Sequence, residues 1–562
     1  MLDSSVLNET PTGDSKLSRW TFPLSAASIA VCLFGNLGAI GLTGPDEPRY
    51  VWIARAMAET GDWITPRLYG EPWFEKPVLY YWGAALGFLL HLPGEWAARL
   101  PSAFAALGAA LAMAWLAKKH YGGTANSLSC PVLLGPVLFG TSVAAIGFAR
   151  AATPDMLFSA AIVAAMACAA SILRHAGALR GAGESEPAGS SGYVDLVLFG
   201  GFLGLAVLAK GPAALVLAGG AVAIWVVATK HWRVAILLAH PLAILAFGVV
   251  AVPWYALCAA RNPDFLRVFL WQHNVERYAT PIFHHRQPFW YYGPIALLAL
   301  LPWTVLLWPA AQEGLRLWRE KLWADSPGFF FACWAIWPVA FFSFSQSKLP
   351  GYILPAIPPL VLICAVAFSR AISGGGLRTR TLLLAIGATW LVLGVCAPST
   401  GPHWIHVQLI GPVAMTPGLY VAVLALVIAA VVIVASLRAR PATVILVCAV
   451  SLAAVLEIAS LRFLPLIDPI VSARPHAEFM RNDQHPDRIF TYQLSRSWSY
   501  GLNFYFHRQL PEWSPADPLP ALVLTTQAGI DQIRKLGRVS GEIEETQPGL
   551  VYVPIMPAPT TR

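Results

Sequence analysis

Charge is scarce in this chain: Asp, Glu, Lys and Arg make up 12% of its 562 residues, against 57% hydrophobic residues. Soluble domains carry about 25% charged residues, so this composition excludes an ordinary soluble protein and makes the bilayer the main solvent. Cysteine is sparse as well. The eight cysteines lie in or beside apolar runs, at no metal-ligand spacing and with none in the polar tail, which excludes a disulfide scaffold. Also missing are a P-loop and a GxGxxG following a strand, so no nucleotide is expected in the site. No internal repeat is evident, and the one biased tract, 181 to 192, reads as a flexible Gly/Ser/Glu connection. The first apolar run has no small-residue cleavage signature before the DEPRY segment, and is expected to remain as a span.

What is present is a series of apolar runs near the length of about 20 residues that a helix needs to cross the hydrocarbon. Thirteen are read, near 21–43, 98–117, 132–149, 154–173, 193–209, 211–229, 234–257, 291–311, 328–345, 352–370, 380–397, 418–437 and 442–462. The net charge of +8 does not call for nucleic acid, because the bases collect in short alternate loops. Lys16 and Arg19, Lys118 and Lys119, Lys230 and Arg233, and Arg438 and Arg440 are examples. Placing these inside puts the amino terminus inside and everything after about 463 outside. That tail is polar again, with short β-like runs at 489–492, 521–525 and 550–554 and a helical stretch at 527–536. The expected division is therefore a helical membrane region, 1–470, and a small soluble α/β domain, 471–562.

The outer loops differ in kind, being long and full of aromatic and ionisable residues. The first, 44–97, is expected to hold two interfacial helices, one at 48–60 ended by Gly61 and one at roughly 77–91. Ionisable groups near a membrane are costly, so their convergence from separate loops points to function. GPDEPRY contributes Asp46, Glu47 and Arg49; WFEKP contributes Glu75 and Lys76; RAATPDM contributes Asp155; and AKGP contributes Lys210. WQHNVERY adds His273, Asn274 and Arg277, followed by His284, His285 and Arg286, and SKLPGYILP adds Lys348 and Tyr352. Cations at a membrane surface suit a phosphate joined to a lipid and a sugar, while a carboxylate suits work on the acceptor.

In their order and local context, GPDEPRY, the acidic-Lys-Pro motif, T-P-D and SKLPGYILP resemble the GT-C membrane glycosyltransferases. Within that protein mannosyltransferase-like superfamily, the nearest resemblance is to the aminoarabinose lipid A transferase family, over about 20–370. It implies a GT-C bundle of about 13 transmembrane helices, two juxtamembrane helices in the first outer loop and a soluble C-terminal α/β domain. It further implies a multi-pass protein of the bacterial cytoplasmic membrane, with its site and C-terminus on the periplasmic side. The donor would be a polyprenyl-phosphate sugar, and the acceptor lipid A or another envelope glycan or protein. Asp46 matches the carboxylate assigned as catalytic and Asp155 a second acidic position. Lys76, Arg277 and Lys210 match positions associated with the carrier phosphate, with Arg49, Lys348 and Tyr352 nearby. Glu75 and His273 match a divalent-metal pair, zinc by expectation, although two ligands fall short of a tetrahedral site.

Plainer readings stand beside these. Asp46 and Glu47 suit capping of helix 48–60, and Arg49 suits a pair with Asp46 one turn away. Lys76 suits snorkeling, Asp155 a helix N-terminus, Lys210 an anchor in a tight turn and His273 a hydrogen-bonded structural role. Trp290, Tyr291, Tyr292 and Trp303 suit an interfacial aromatic belt. The rival function is a transporter or flippase of a lipid-linked anion, which predicts charge within spans and repeat symmetry. A scaffold is a third option, and would leave these polar groups dispersed.

Overall fold

The computed structural model describes residues 15–123, 127–179, 191–280, 286–399, 416–438, 440–481, 488–536 and 549–555. Each of the thirteen apolar runs coincides with a helix or a bent helix pair, but they are not alike. Among the described residues, eight helices are long and apolar enough to cross a membrane, from Gly94–Tyr121 to Pro441–Val471. Two further runs are helix pairs bent by 60° and 109°, at Pro131–Gly140 with Val143–Ala149 and at Tyr292–Ala299 with Thr304–Arg319. Counting each pair as one span gives up to ten. The remaining three runs form shorter apolar helices, Arg19–Phe34, Ala213–Thr229 and Pro327–Ser343. Hydropathy marks every one of these runs, but it does not register the bends or the short lengths.

Burial sorts the bundle into an inside and a rim. In Asp155–His175 and Pro350–Ser373, 83% of the apolar window is buried, against 22% in Pro241–Arg261, whose remaining surface suits lipid. Small residues let the helices approach: a Cβ on Gly200 would lie 2.0 Å from the Ala243 carbonyl oxygen, and one on Gly204 would lie 2.9 Å from Val250. This Gly-x-x-x-Gly contact joins the helix ending at Lys210 to Pro241–Arg261.

The connection after the first apolar helix holds helices Asp46–Thr60 and Leu79–Leu89, joined through a two-residue antiparallel ladder, Arg67–Leu68 with Glu71–Pro72. After the last span, strands Ile489–Thr491, Ala521–Thr525 and Val551–Ile555 form a three-stranded sheet, parallel between the first two and antiparallel between the last two. Helices Arg474–Arg481, Arg496–Phe506 and Gln527–Lys535 flank it. This unit is tied to the start of that connection. Asp468 accepts from the Gly41 amide at 2.8 Å and pairs with Arg474, which donates to the Gly38 carbonyl. Arg55 donates to the Phe504 carbonyl at 3.0 Å, and the Tyr505 hydroxyl accepts from the Leu42 amide at 2.8 Å.

Candidate active site

The GPDEPRY segment enters its helix with Asp46 and Glu47 already in the first turn, and Gly61 ends it in the left-handed conformation at φ 71°. Neither acid caps this helix by its side chain. Glu47 turns inward, where it accepts from the Thr43 amide at 2.8 Å, the Ala152 amide at 2.7 Å and Arg99 Nη2 at 2.8 Å. Burial opposes its ionisation, but Arg99 and these amides outweigh it and hold the carboxyl below its ordinary value. Arg99 in turn donates to the carbonyls of Leu37, Ile40 and Gly41, so this pair is structural.

Asp46 turns outward instead. Its side chain is 50% exposed, and Oδ1 lies 2.6 Å from Arg49 Nη2. The same Arg49 nitrogen is 2.8 Å from Glu75 Oε2, which carries the network across to the WFEKP segment. Glu75 Oε1 then meets Lys76 Nζ at 3.3 Å and Arg277 Nη1 at 3.4 Å. Arg277 Nε donates to the Tyr352 hydroxyl at 3.0 Å, and the ammonium of Lys210 sits 4.9 Å from the Tyr352 ring centre. Lys210 also pairs with Asp155. Asp155 lies so close to the SKLPGYILP turn that a Cβ at Gly351 would come within 3.2 Å of its Oδ1.

Four cations, Arg49, Lys76, Lys210 and Arg277, therefore meet three carboxylates, Asp46, Glu75 and Asp155, at one place. Burial works against the Glu75 charge, yet Lys76, Arg49 and Arg277 hold its carboxyl down at about 2. Burial pulls Lys76 down to about 8, with Glu75 opposing the fall and Arg277 and Lys210 adding to it. His273 is lowered to about 4 by burial, so its imidazole is neutral at physiological pH although it stands beside Glu75.

Lys348 stands outside this network. Its ammonium donates to the carbonyls of Ser345 at 2.6 Å and Gln287 at 3.0 Å, holding the turn that carries Tyr352. Tyr292 and Trp303 are buried rather than belted, donating to the Leu349 carbonyl and to Thr141. Trp290 is exposed as a belt residue is expected to be. His284 and His285 lie outside the described residues.

A zinc ion fits poorly between Glu75 and His273, because both Glu75 oxygens already face cations. Among the described residues no three His, Cys, Asp or Glu side chains are grouped to hold a metal.

Two cavities adjoin the cluster. One of about 540 Å³ has Trp73, Glu75 and His273 in its wall and Asp264 and Arg267 at its rim. The other, about 340 Å³ and almost wholly apolar, runs past Val207, Phe247, Tyr255, Leu266 and Leu270. The segment around the π-helix Arg267–Glu276 contributes to the walls of both. Its position depends on Gly211, at φ +94°, where a Cβ would lie 2.7 Å from Phe269.

Sequence reasoning did not single out Trp73 or Tyr500, whose rings flank Arg49 at 5.6 and 5.9 Å. Trp73 had a signal, standing two residues before Glu75; Tyr500, in the polar tail, had none.

The family model described as dolichyl-phosphate-mannose-protein mannosyltransferase matches residues 18–269. The chain is 34% identical over 382 residues to the undecaprenyl phosphate-alpha-4-amino-4-deoxy-L-arabinose arabinosyl transferase of Edwardsiella ictaluri, covering 66% of this chain and 65% of that one. To the protein of the same description from Pseudomonas aeruginosa (strain UCBPP-PA14) it is 32% identical over 381 residues, with the same coverage. These matches thus span just under two thirds of the relatives' own length. The fold matches the crystal structure of ArnT from Cupriavidus metallidurans bound to undecaprenyl phosphate, with a TM-score of 0.75 at 23% identity over 96% of this chain and 98% of that one. The motifs, the multi-pass helical fold and these likenesses agree: over most of its length the chain is similar to the undecaprenyl phosphate-aminoarabinose arabinosyl transferases, and it shares the fold of the ArnT structure.

Proposed function

We propose that this protein transfers a sugar from a polyprenyl-phosphate carrier to an acceptor at the outer face of a bacterial cytoplasmic membrane, with the 4-amino-4-deoxy-arabinose carried by its relatives' donors as the leading candidate. The observation that carries this reading is the convergence of Lys76, Lys210 and Arg277, from three separate connections, around Tyr352 and Glu75 beside an apolar groove. The groove suits an isoprenoid tail, the cations suit its phosphate, and the nearby 540 Å³ cavity is of a size to admit a sugar.

In the proposed reaction the acceptor oxygen attacks the anomeric carbon as the bond from that carbon to the phosphate oxygen breaks. The bonding pair leaves with the polyprenyl phosphate, which gains a negative charge that Lys76, Lys210 and Arg277 stabilise. A hydroxyl acceptor gives its proton to Asp46, the outward-facing carboxylate of the cluster. Asp155 positions Lys210 and acts through it.

Single-turnover release of sugar from a panel of polyprenyl-phosphate sugars tests this. Wild type is expected to consume one of them, and Asp46→Asn and Lys76→Ala to suppress that consumption. Lipid-phosphate binding without donor consumption, unchanged in both variants, would overturn the proposal in favour of a carrier.

A further inference from the structure

Between the helix that ends at Phe34 and the helix that begins at Asp46, the backbone runs through an irregular turn whose polar groups are met by side chains. Two guanidiniums take five consecutive carbonyls. Arg99 donates to Leu37, Ile40 and Gly41, and Arg474 donates to Gly38 at 2.9 Å and Ala39 at 3.3 Å. The next amides are held in the same way, Gly41 by Asp468, Leu42 by the Tyr505 hydroxyl and Thr43 by Glu47, each at 2.8 Å. Thr43 also forms a β-bridge with Ser472. The fit leaves no room: a Cβ on Gly41 would overlap the Ser472 hydroxyl and lie 2.7 Å from the Tyr505 hydroxyl and 2.8 Å from Arg474 Cβ.

Much of this clamp comes from the far end of the chain, and it is itself braced. Asp468 accepts from Ser472 Oγ and from Arg474 Nη2, both at 2.6 Å, and Tyr505 donates to Glu95 Oε1 at 2.8 Å. Further along, Arg55 of the helix Asp46–Thr60 donates to the Phe504 carbonyl, so that helix is gripped a second time. The cations differ: Glu75, Asp155 and Tyr352, which meet Lys76, Lys210 and Arg277, all precede the C-terminal unit. Asp46 has one side-chain partner among the described residues, Arg49, so its place depends on the backbone that carries it.

We propose that the C-terminal unit positions Asp46, with Asp468, Arg474 and Tyr505 as positioning residues that act through the turn 37–43. This rests on the transferase reading above for the role of Asp46 and adds a task for the C-terminal unit. A general base works only within hydrogen-bond reach of the proton it takes, and a misplacement of about 1 Å can cost about 10²-fold in rate. Loosening the clamp is therefore expected to slow the chemical step while carrier binding, which belongs to the cations, stays as it was.

The test is a double-mutant cycle on the full-length protein in nanodiscs, read as single-turnover consumption of the polyprenyl-phosphate sugar that wild type uses, with undecaprenyl phosphate affinity measured alongside. Arg474→Ala is expected to slow transfer about 10²-fold and Tyr505→Phe roughly tenfold, with undecaprenyl phosphate affinity within about twofold of wild type. In an Asp46→Asn background either substitution should cost less than about twofold more, because it acts through a group already removed. Independent, multiplying losses would overturn the proposal. So would an equal loss of undecaprenyl phosphate affinity, which would make these contacts general supports of the fold. Should Arg474→Ala fail to fold, Tyr505→Phe, which removes a single hydroxyl, carries the cycle. Amide hydrogen exchange reads the clamp without turnover: both variants should speed exchange across 38–60, and unchanged exchange there would overturn the proposal. Wild type that consumes no donor would sink the transferase reading, whereas faster exchange confined to 38–60 would still show the C-terminal unit fixing the Asp46 helix.

Discussion

Two carboxylates of the connection between the first two apolar helices, Glu47 and Glu75, meet arginine in opposite ways. Glu47 faces Arg99 one to one, each surplus lone pair and N–H is met by backbone, and nothing is left to bind a ligand. Glu75 faces Arg49, Lys76 and Arg277 together, with neutral His273 alongside. The first arrangement closes the fold, whereas the second holds cations in excess beside a cavity. Burial and charge are common to both, so the surplus of one sign separates a binding site from a structural ion pair.

The widest separation of the two regions is expected from Asp46→Asn and Arg99→Ala. Asp46→Asn should lower single-turnover transfer by about 10²–10⁴-fold, the usual worth of a general base, with undecaprenyl phosphate affinity retained. Arg99→Ala strands a buried carboxylate and should cost about 3–5 kcal/mol of stability, read as a lower unfolding temperature in detergent. A stable Arg99→Ala protein would break the contrast.

A smaller effect sharpens the contrast between the two lysines of the motifs. Lys76→Ala removes a cation from the surplus and should weaken undecaprenyl phosphate binding roughly tenfold. Lys348→Ala should weaken it less than about twofold, because that ammonium is engaged by two carbonyls. Equal losses would return Lys348 to the phosphate site.

The smallest effect is in pH. Lys76, pulled down to about 8, loses its charge as pH rises through that value, so undecaprenyl phosphate affinity should fall a few-fold above pH 8. Glu75 supports the Lys76 charge, and Glu75→Gln should therefore move this fall to lower pH. A shift to higher pH, or none, would show that Glu75 does not set the field at Lys76.

The fold was legible where chemistry is local. Apolar runs marked each candidate membrane helix among the described residues, and Gly61 with Pro48 marked the helix Asp46–Thr60. Bends within runs were not legible, since Thr141 and Ser142 break a helix without breaking its hydropathy. Of the site, the motifs indicated the residue types but not their partners. Glu47 and Asp46 are adjacent in sequence and differ only in which side of one helix turn they face. Lys348 stands four residues before Tyr352 but turns away from it to bind carbonyls, which no local pattern records. Tyr500 was out of reach because it arrives from the far end of the chain through tertiary packing alone.

Glu75 also bears on how quickly such a site empties. A pocket of cations alone grips a phosphate monoester harder than the phosphodiester it came from, and so retains its own product. A carboxylate fixed among those cations is an intramolecular competitor at very high effective concentration, ready to reclaim Arg49, Lys76 and Arg277 as the lipid phosphate departs. In the proposed transfer its presence is expected to shorten the residence time of the spent carrier and to keep adventitious anions out between turnovers.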